Sequence, residues 1–184
     1  MVLSRLRHMY GAKKLRMWSV DFPNAYKTIE LNKASREAAH VCFINPTNGR
    51  PCKARVLAQP FGSRRAPANW GRVLTSLQFV ARELLLVNTG SFADDVFGVE
   101  ARRIAASGFW AFKQLCDLIG FPTSTKQDQP PSERMVLLGA EVSLRDTHVQ
   151  AEVRSGRRDR LKTLILEALT ADCLTPAAAS KLRG

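Results

Sequence analysis

The chain has 184 residues, of which 45% are hydrophobic, and this is enough for one ordinary domain with a core of its own. Its 28 lysines and arginines outnumber its 16 aspartates and glutamates, which gives a net charge of +12. The composition excludes a disordered tail, and the excess of positive charge predicts a polyphosphate partner, above all a nucleic acid.

A membrane is the other partner that a basic chain can serve. No apolar run approaches the roughly 18 residues of a membrane span, and charges interrupt residues 1–18 too often for the apolar part of a signal peptide. Neither a basic amphipathic helix for an anionic surface nor a lipid anchor signal is evident. We therefore expect a soluble, intracellular protein without a membrane partner.

The four cysteines are scattered and show no zinc-binding spacing, so we interpret them as buried thiols. Cys42 and Cys52 could face each other across a hairpin. An intracellular compartment disfavours a disulfide between them.

The first half of the chain predicts a strand, a helical segment, a hairpin and a long helix. The short apolar strand "MWSVDF" carries Asp21 near its end, and "NAYKTIELNKASREAA" is mostly compatible with a helix. Turn-forming residues in the middle of residues 40–59 predict a hairpin. After the loop "PFGSRRAP", apolar residues at three- and four-residue steps from Ala68 predict an amphipathic helix. Its core residues include Trp70, and its apolar face extends to Leu84.

The second half continues with a hairpin, a helix and a further strand. "SFA" and "VFGVE" are short apolar strands, which places Asp94 and Asp95 at the turn between them. A helix is predicted from Arg102, with Phe109 on its apolar face, and Gly120 stops it. "PTSTKQDQPPSER" is expected to be a polar loop, "MVLLGAEVSL" a strand or tight hairpin, and residues 153–171 a basic-faced helix. This order predicts an α+β fold, with an antiparallel sheet and helices packed on one face.

Two adjacent acids at a hairpin tip have an ordinary explanation, because aspartate is a common turn residue. The apolar flanks of Asp94 and Asp95 argue for more, since like charges close to apolar surface are costly unless a cation compensates them. Asp21, at the end of its own strand, is a third carboxylate that a sheet can bring to the same place. Carboxylates suit Mg²⁺, which takes one or two of them together with substrate phosphates. We therefore expect the three acids to converge.

The segments that carry these residues resemble the motifs of reverse transcriptases, in the order of that family, from about Ser19 to Gly139. They are "SVDFPNAYKTI" for motif A, "QPFGSRRAPANWGR" for motif B, "SFADDVFG" for motif C, "GFPTSTKQ" for motif D and "LLGAEV" for motif E. The form of motif B is similar to that of retrotransposon enzymes. Phe92 stands where motif C of the family has tyrosine.

The resemblance implies the palm of an RNA-directed DNA polymerase, which transfers a nucleotide from a dNTP to the 3′-hydroxyl of a primer on an RNA or DNA template. It implies two Mg²⁺ or Mn²⁺ ions, with Asp21 and Asp94 as principal ligands. Asp95 and the backbone carbonyl of Phe22 would assist them. Lys126 would be the proton donor near the pyrophosphate; a solvated loop lysine is the alternative interpretation.

Further site residues follow from the same resemblance. Tyr26 would lie beneath the incoming sugar and exclude a 2′-hydroxyl, with a core tyrosine as the alternative. Phe61 and Gly62 would line the dNTP site, with an ordinary tight turn as the alternative. The residues expected near template and primer are Arg64, Arg65, Ala66, Pro67, Arg72, Leu138 and Gly139. Arginines within residues 154–160 are candidate phosphate contacts, although a charged run is more often a solvated face.

The resemblance also divides the chain. Residues 1–150 correspond to a palm with partial fingers, and residues 151–184 to a truncated, basic helical segment of the thumb or connection. Few residues precede Asp21, where the family has its fingers, so we interpret the chain as a fragment of a longer retroelement product. The alternative function is that of a non-catalytic, nucleic-acid-binding remnant of a reverse transcriptase.

Overall fold

The computed structural model describes residues 14–145 and 148–183. The strands are β1 (Leu15–Asp21), β2 (His40–Ile44), β3 (Pro51–Arg55), β4 (Thr89–Phe92), β5 (Asp95–Ala101), β6 (Gln129–Ser132), β7 (Arg134–Leu137), β8 (Ala140–Leu144) and β9 (Val149–Val153). The α-helices are α1 (Lys33–Ala38), α2 (Ala66–Leu85), α3 (Ala105–Leu118), α4 (Ser155–Thr170) and α5 (Pro176–Arg183), and a short 3₁₀ helix spans Ala25–Thr28.

The strands form three antiparallel sheets. The largest has the order β4-β5-β1-β6, while β2 and β3 form a separate hairpin and β7, β8 and β9 form a third sheet. β1 pairs with β5 along its whole length, from Leu15 opposite Ala101 to Asp21 opposite Asp95. The prediction of a mixed α+β fold with antiparallel pairing is confirmed, but the strands are divided among three sheets.

β1 is buried on both faces, because successive side chains of a strand point to opposite sides of the sheet. Trp18 and Val20 belong to the larger core cluster, together with residues of α2 and α3. The helix residues of that cluster include Trp70, Leu74, Leu77, Phe109 and Phe112. Leu15 and Met17, on the other face of β1, pack with residues of β7 and β8. The helices α2 and α3 therefore cover one face of the large sheet, and the third sheet covers part of the other.

The predicted hairpins and the helices α2, α3 and α4 are present, with small shifts at their ends. Residues 24–39, expected to be mostly helical, instead hold the 3₁₀ helix and α1, and between these Glu30 forms a β-bridge with Ala58. α2 begins at Ala66, with a proline in its first turn, and Trp70 is 1% exposed, as expected for a core residue. α3 stops before Gly120, whose φ of 83° favours glycine. Leu84, which the helical pattern placed on the apolar face of α2, is exposed.

The segment after α3 was predicted wrongly as a loop throughout. β6 lies within it and pairs with β1, with Met17 opposite Ser132 and Ser19 opposite Gln129. Its Pro-Pro pair is tolerated because β6 is an edge strand, where a missing N–H breaks no second ladder.

The register of the first hairpin settles the geometry of its two cysteines. Cys42 lies opposite Lys53, and Cys52 lies opposite Phe43. The two cysteines therefore project to opposite faces of the hairpin, and both are free thiols. Cys42 is exposed and Cys52 is half-buried, so the expectation that both are buried was wrong.

No helix in residues 14–145 and 148–183 is both long and apolar enough to cross a membrane.

Candidate active site

Asp21 ends β1, Asp95 begins β5, and the two residues are direct partners in the antiparallel register. Such partners project to the same face, with their Cβ atoms about 4.5–5.5 Å apart. The preceding pair, Val20 and Val96, belongs to the core under the helices. The two carboxylates therefore lie on the opposite face of the sheet, away from the helices.

Asp94 lies beside this pair, in the turn between β4 and β5. The turn is closed by the pair Phe92 and Asp95, which leaves Ala93 and Asp94 as its two loop residues. Ala93 has a φ of 54°, a left-handed conformation that alanine rarely adopts. Strained backbone of this kind is concentrated at functional sites. We call Asp21, Asp94 and Asp95 the acidic cluster.

The carboxylates of the acidic cluster repel one another. The pKa of Asp21 is raised, first by partial burial and then by the charges of Asp94, Asp95 and Asp128. The pKa of Asp95 is raised by burial and by Asp94. None of the ion pairs between described residues includes a member of the acidic cluster. Among the described residues, therefore, no ion-pair partner neutralises the negative charge of the cluster.

The donor types suit a hard cation, although the side chains do not converge on a point. Within residues 14–145 and 148–183, no group of three His, Cys, Asp or Glu side chains is arranged to hold a metal ion. The carbonyl oxygen of Phe22, the other expected ligand, accepts a hydrogen bond from the Ala25 N–H at 3.2 Å. A second lone pair of that oxygen stays available.

The structure brings Tyr26 of motif A to Phe61 of motif B. Tyr26 lies in the 3₁₀ helix, is partly buried against the large core, and meets the ring of Phe61 edge-on at 5.3 Å between centroids. Phe61 is 64% exposed, and Lys27 Nζ lies 5.6 Å from its ring centroid. Both aromatic residues border a surface that a ligand can reach.

The residues between Phe61 and α2 form a bend with a basic surface. Gly62 has a φ of 89°, and a Cβ atom there would meet nothing within 4 Å. Arg64, Arg65 and the more distant Arg72 are exposed. Pro67 is exposed as well, whereas Ala66 is 1% exposed because it begins α2 against the core. Ala66 therefore lies at the entry of α2, and its expected place near the template stays a prediction.

Lys126 is exposed, in a turn at residues 125–127. The same loop contacts the acidic cluster through its backbone, because the Ser124 N–H donates to the carbonyl oxygen of Asp21 at 2.8 Å. The structure therefore brings the Lys126 loop to Asp21, and Lys126 itself makes no ion pair with any described acid.

Leu138 and Gly139 form the turn between β7 and β8. Both have positive φ, 51° and 78°, and Leu138 is 52% exposed. A Cβ atom at Gly139 would lie 3.7 Å from Nη1 of Arg157. The turn therefore adjoins the basic helix α4, whose arginines within residues 154–160 are exposed.

Two charged residues near the acidic cluster were missed from the sequence. Asp128 contacts Lys113, and both are buried; Asp128 also accepts a hydrogen bond from the Asp21 N–H. Lys113 does carry a signal, since it falls between Phe109 and Cys116 on the apolar face of α3. A lysine buried in an apolar stripe requires a carboxylate partner.

No protein-family model matches the chain, and no curated protein matches it in sequence. Solved structures match it in fold. The foamy viral protease-reverse transcriptase in complex with an RNA/DNA hybrid has a TM-score of 0.64 at 13% identity, over 81% of this chain and 18% of that chain. The foamy viral protease-reverse transcriptase in complex with dsDNA has a TM-score of 0.62 at 15% identity, over 80% of this chain and 28% of that chain.

The fold resembles that of a reverse transcriptase. This likeness agrees with the one drawn from the sequence motifs, at the level of the fold. The chain spans 18% and 28% of the length of the two viral chains, so it corresponds to a part of each.

Proposed function

We propose that the chain is the palm of an RNA-directed DNA polymerase, which transfers nucleotides from dNTPs to a primer 3′-hydroxyl. The observation that supports this most directly is the register of β1 and β5, which sets Asp21 opposite Asp95 with Asp94 in the adjoining turn. Three carboxylates at one end of the sheet, without an ion-pair partner among the described residues, are costly in a free protein. Divalent cations bound at this site would compensate the charges of the carboxylates.

The acidic cluster fits Mg²⁺ or Mn²⁺ by donor type, because hard cations prefer carboxylate and carbonyl oxygens. Asp21 and Asp94 would be the principal ligands, with Asp95 and the carbonyl of Phe22 in support. The side chains must turn toward a common point, and the repulsion between their charges opposes this until a cation is present. Burial first, and the charges of Asp94 and Asp95 after it, raise the pKa of Asp21. When bound, two ions would activate the primer hydroxyl and neutralise the triphosphate.

The other residues of the site would orient the substrate. Tyr26 and Phe61 offer an aromatic surface beneath the sugar of the incoming nucleotide, where Tyr26 would exclude a 2′-hydroxyl. Gly62 allows close approach of the backbone. Lys126 would carry a proton toward the leaving pyrophosphate, from a loop that is hydrogen-bonded to Asp21.

The positive charge of the chain is available for template and primer. The candidate contacts to template or primer beside motif B are exposed: Arg64, Arg65, Pro67 and Arg72. The candidates near the primer terminus are Leu138 and Gly139, which lie beside α4. Phosphate contacts of this kind give affinity without sequence preference, and this affinity falls with salt. In this proposal residues 1–150 are the palm with partial fingers, and residues 151–184 are a thumb or connection segment of a longer retroelement product.

The decisive test is primer extension on poly(rA)/oligo(dT) with Mg²⁺ or Mn²⁺. We expect dNTP incorporation by the wild-type chain and by the control Asp159→Asn, an exposed acid on α4. We expect Asp21→Asn and Asp94→Asn to lower the rate of dNTP incorporation roughly a hundredfold or more, because each removes a charge that stabilises the transition state. Chelation of the metal should stop the reaction of the active variants.

A binding measurement separates the alternative function. If the wild-type chain binds primer–template in a salt-dependent way but never extends the primer, the chain is a non-catalytic binding remnant. In either case Asp94→Asn should bind nucleic acid at least as well as wild type, because it removes negative charge.

A further inference from the structure

A buried ion pair joins α3 to the loop that precedes β6. The side chains of Lys113 and Asp128 are 10% and 5% exposed, and the Lys113 ammonium contacts Oδ2 of Asp128. The ammonium also lies 5.5 Å from the ring centroid of Phe109 and 5.7 Å from that of Trp110. Because a buried charge is tolerated only when it is paired and hydrogen-bonded, this contact fixes the loop to the helix.

Asp128 makes further hydrogen bonds with both of its oxygens. Oδ2 also accepts from the Thr123 hydroxyl at 3.1 Å, and Oδ1 accepts from the backbone N–H of Asp21 at 3.3 Å. The ladder between β1 and β6 ends at Ser19 and Gln129. Beyond that point the side chain of Asp128 substitutes for the next backbone partner of β1.

A second hydrogen bond to Asp21 comes from Ser124, which precedes Lys126 in the same loop. The Ser124 N–H donates to the Asp21 carbonyl oxygen at 2.8 Å, and the Asp128 N–H donates to the Ser124 carbonyl oxygen at 3.0 Å. Lys126 lies between Ser124 and Asp128. Both backbone polar groups of Asp21 are thus held by the segment that carries Lys126.

We propose that Asp128 is a positioning residue, which sets the Lys126 loop at a fixed place relative to Asp21 and is itself held by Lys113. The inference rests on the proposed function, in which Lys126 and Asp21 act on the same nucleotide. Lys113 is needed because an unpaired Asp128 would add a fourth negative charge beside the acidic cluster. Asp128 is already close enough to Asp21 to raise its pKa.

Two double variants separate positioning from packing. Lys113→Met/Asp128→Leu, the apolar pair, fills the site without charge but has no acceptor for the Asp21 N–H. Lys113→Gln/Asp128→Asn, the amide pair, keeps a carbonyl oxygen at position 128. Arg82→Gln/Glu83→Gln removes an exposed ion pair of α2 and is the matched control. Thr123→Val is a milder variant that removes one hydrogen bond to Asp128 and leaves the buried pair intact.

Amide hydrogen exchange of the full chain is the first measurement, and it needs no activity. We expect the apolar pair to speed exchange of the Asp21 and Ser124 amides at least tenfold. Thr123→Val should speed exchange of the same two amides about threefold. Exchange of the amides inside β5 should not change in either variant. The amide pair and the control should match wild type. Unchanged exchange at Asp21 and Ser124 in the apolar pair overturns the proposal. If the apolar pair does not fold, unchanged exchange in Thr123→Val overturns it.

Nucleotide incorporation is the second measurement. We expect the apolar pair to lower kcat at least tenfold, with little change in the KM for dNTP or in primer–template affinity. The amide pair should have a kcat within threefold of the wild-type value. A folded apolar pair with wild-type kcat overturns the proposal. A wild-type chain that extends no primer removes the proposed function instead, and the exchange result alone then decides whether Asp128 holds the loop.

Discussion

Asp21 and Asp95 lie directly opposite each other at the end of the β1–β5 ladder, with like charges on the same face. Like charges at this position destabilise an antiparallel pair. The pKa of each carboxyl is raised, by burial first and then by neighbouring acids. The fold therefore keeps an arrangement that lowers its own stability, as expected where an acidic site serves a function.

Replacing one member of this pair should stabilise the protein. At neutral pH, Asp21→Asn removes the repulsion but keeps the size of the side chain, and we expect a gain of about 0.2–1 kcal/mol in the free energy of unfolding. Urea unfolding of wild type and Asp21→Asn measures the gain, with the exposed Asp159→Asn as control. A loss of stability in Asp21→Asn would mean that the carboxylate has a stabilising partner.

A divalent cation should stabilise the wild-type chain for the same reason. At ten times its dissociation constant, an ion bound only by the folded chain adds about 1.4 kcal/mol. Thermal unfolding with increasing Mn²⁺ should therefore shift the midpoint upward by a few degrees. We expect no shift in Asp94→Asn and a full shift in Asp159→Asn. An equal shift in all three chains would locate the ion elsewhere.

Glu100 should make the stability depend on pH. It is 6% exposed in β5, and burial raises its pKa to about 7 from 4.5, which the neighbouring Trp18 opposes by a smaller amount. Neither Trp18 Nε1 nor Glu100 Oε2 has a hydrogen-bond partner among the described residues. Since the folded chain holds this proton more tightly than the unfolded chain, stability falls as pH rises from about 4.5 to about 7 and then levels off.

The measurement compares wild type with Glu100→Gln between pH 5 and pH 8. Over this range Glu100 should lower the stability of wild type by about 2–3 kcal/mol relative to the variant. Glu152→Gln, at an exposed position of β9, should follow wild type. Parallel curves for wild type and Glu100→Gln would show that Glu100 ionises normally in the folded chain.

The elements with regular periodicity could be predicted from the sequence, and those fixed by distant contacts could not. α2 and α3 follow from apolar steps of three and four residues, and the turn before β5 follows from its two acids between apolar runs. β6 was missed because its Pro-Pro pair is typical of a loop, and only its edge position beside β1 makes a strand possible.

The candidate site divides in the same way. Asp21, Asp94 and Asp95 could be proposed because their residue type is costly in its surroundings. The register that sets Asp21 opposite Asp95 joins residues far apart in the chain, and no local pattern encodes it. The contact between Lys113 and Asp128 likewise needs the fold, because a polar loop gives no reason to single out one of its acids.

Two glycines should respond oppositely to alanine. A Cβ atom at Gly98, in β5, would collide with the indole of Trp18, which is fully buried. We expect Gly98→Ala to lose about 1–3 kcal/mol or more. A Cβ atom at Gly71 in α2 would meet nothing within 4 Å, so Gly71→Ala should gain about 1 kcal/mol through helix propensity. Urea unfolding checks both, and a stable Gly98→Ala chain would show that Trp18 can repack.

Tyr26 should decide the choice between deoxyribonucleotides and ribonucleotides. Its ring is partly buried and meets the exposed Phe61 at 5.3 Å, so it is firmly placed at the edge of an accessible surface. Specificity is a ratio of transition-state affinities. In the proposed function, removing the ring would relieve a clash with the 2′-hydroxyl without adding a contact for the deoxyribonucleotide. Tyr26→Ala should therefore raise ribonucleotide incorporation relative to deoxyribonucleotide at least tenfold, about 1.4 kcal/mol. The two values of kcat/KM are measured on one template, in a chain that supports synthesis, with Tyr26→Phe as the control that keeps the ring. If the ratio stays constant while both efficiencies fall, Tyr26 acts through packing against Phe61 and the core.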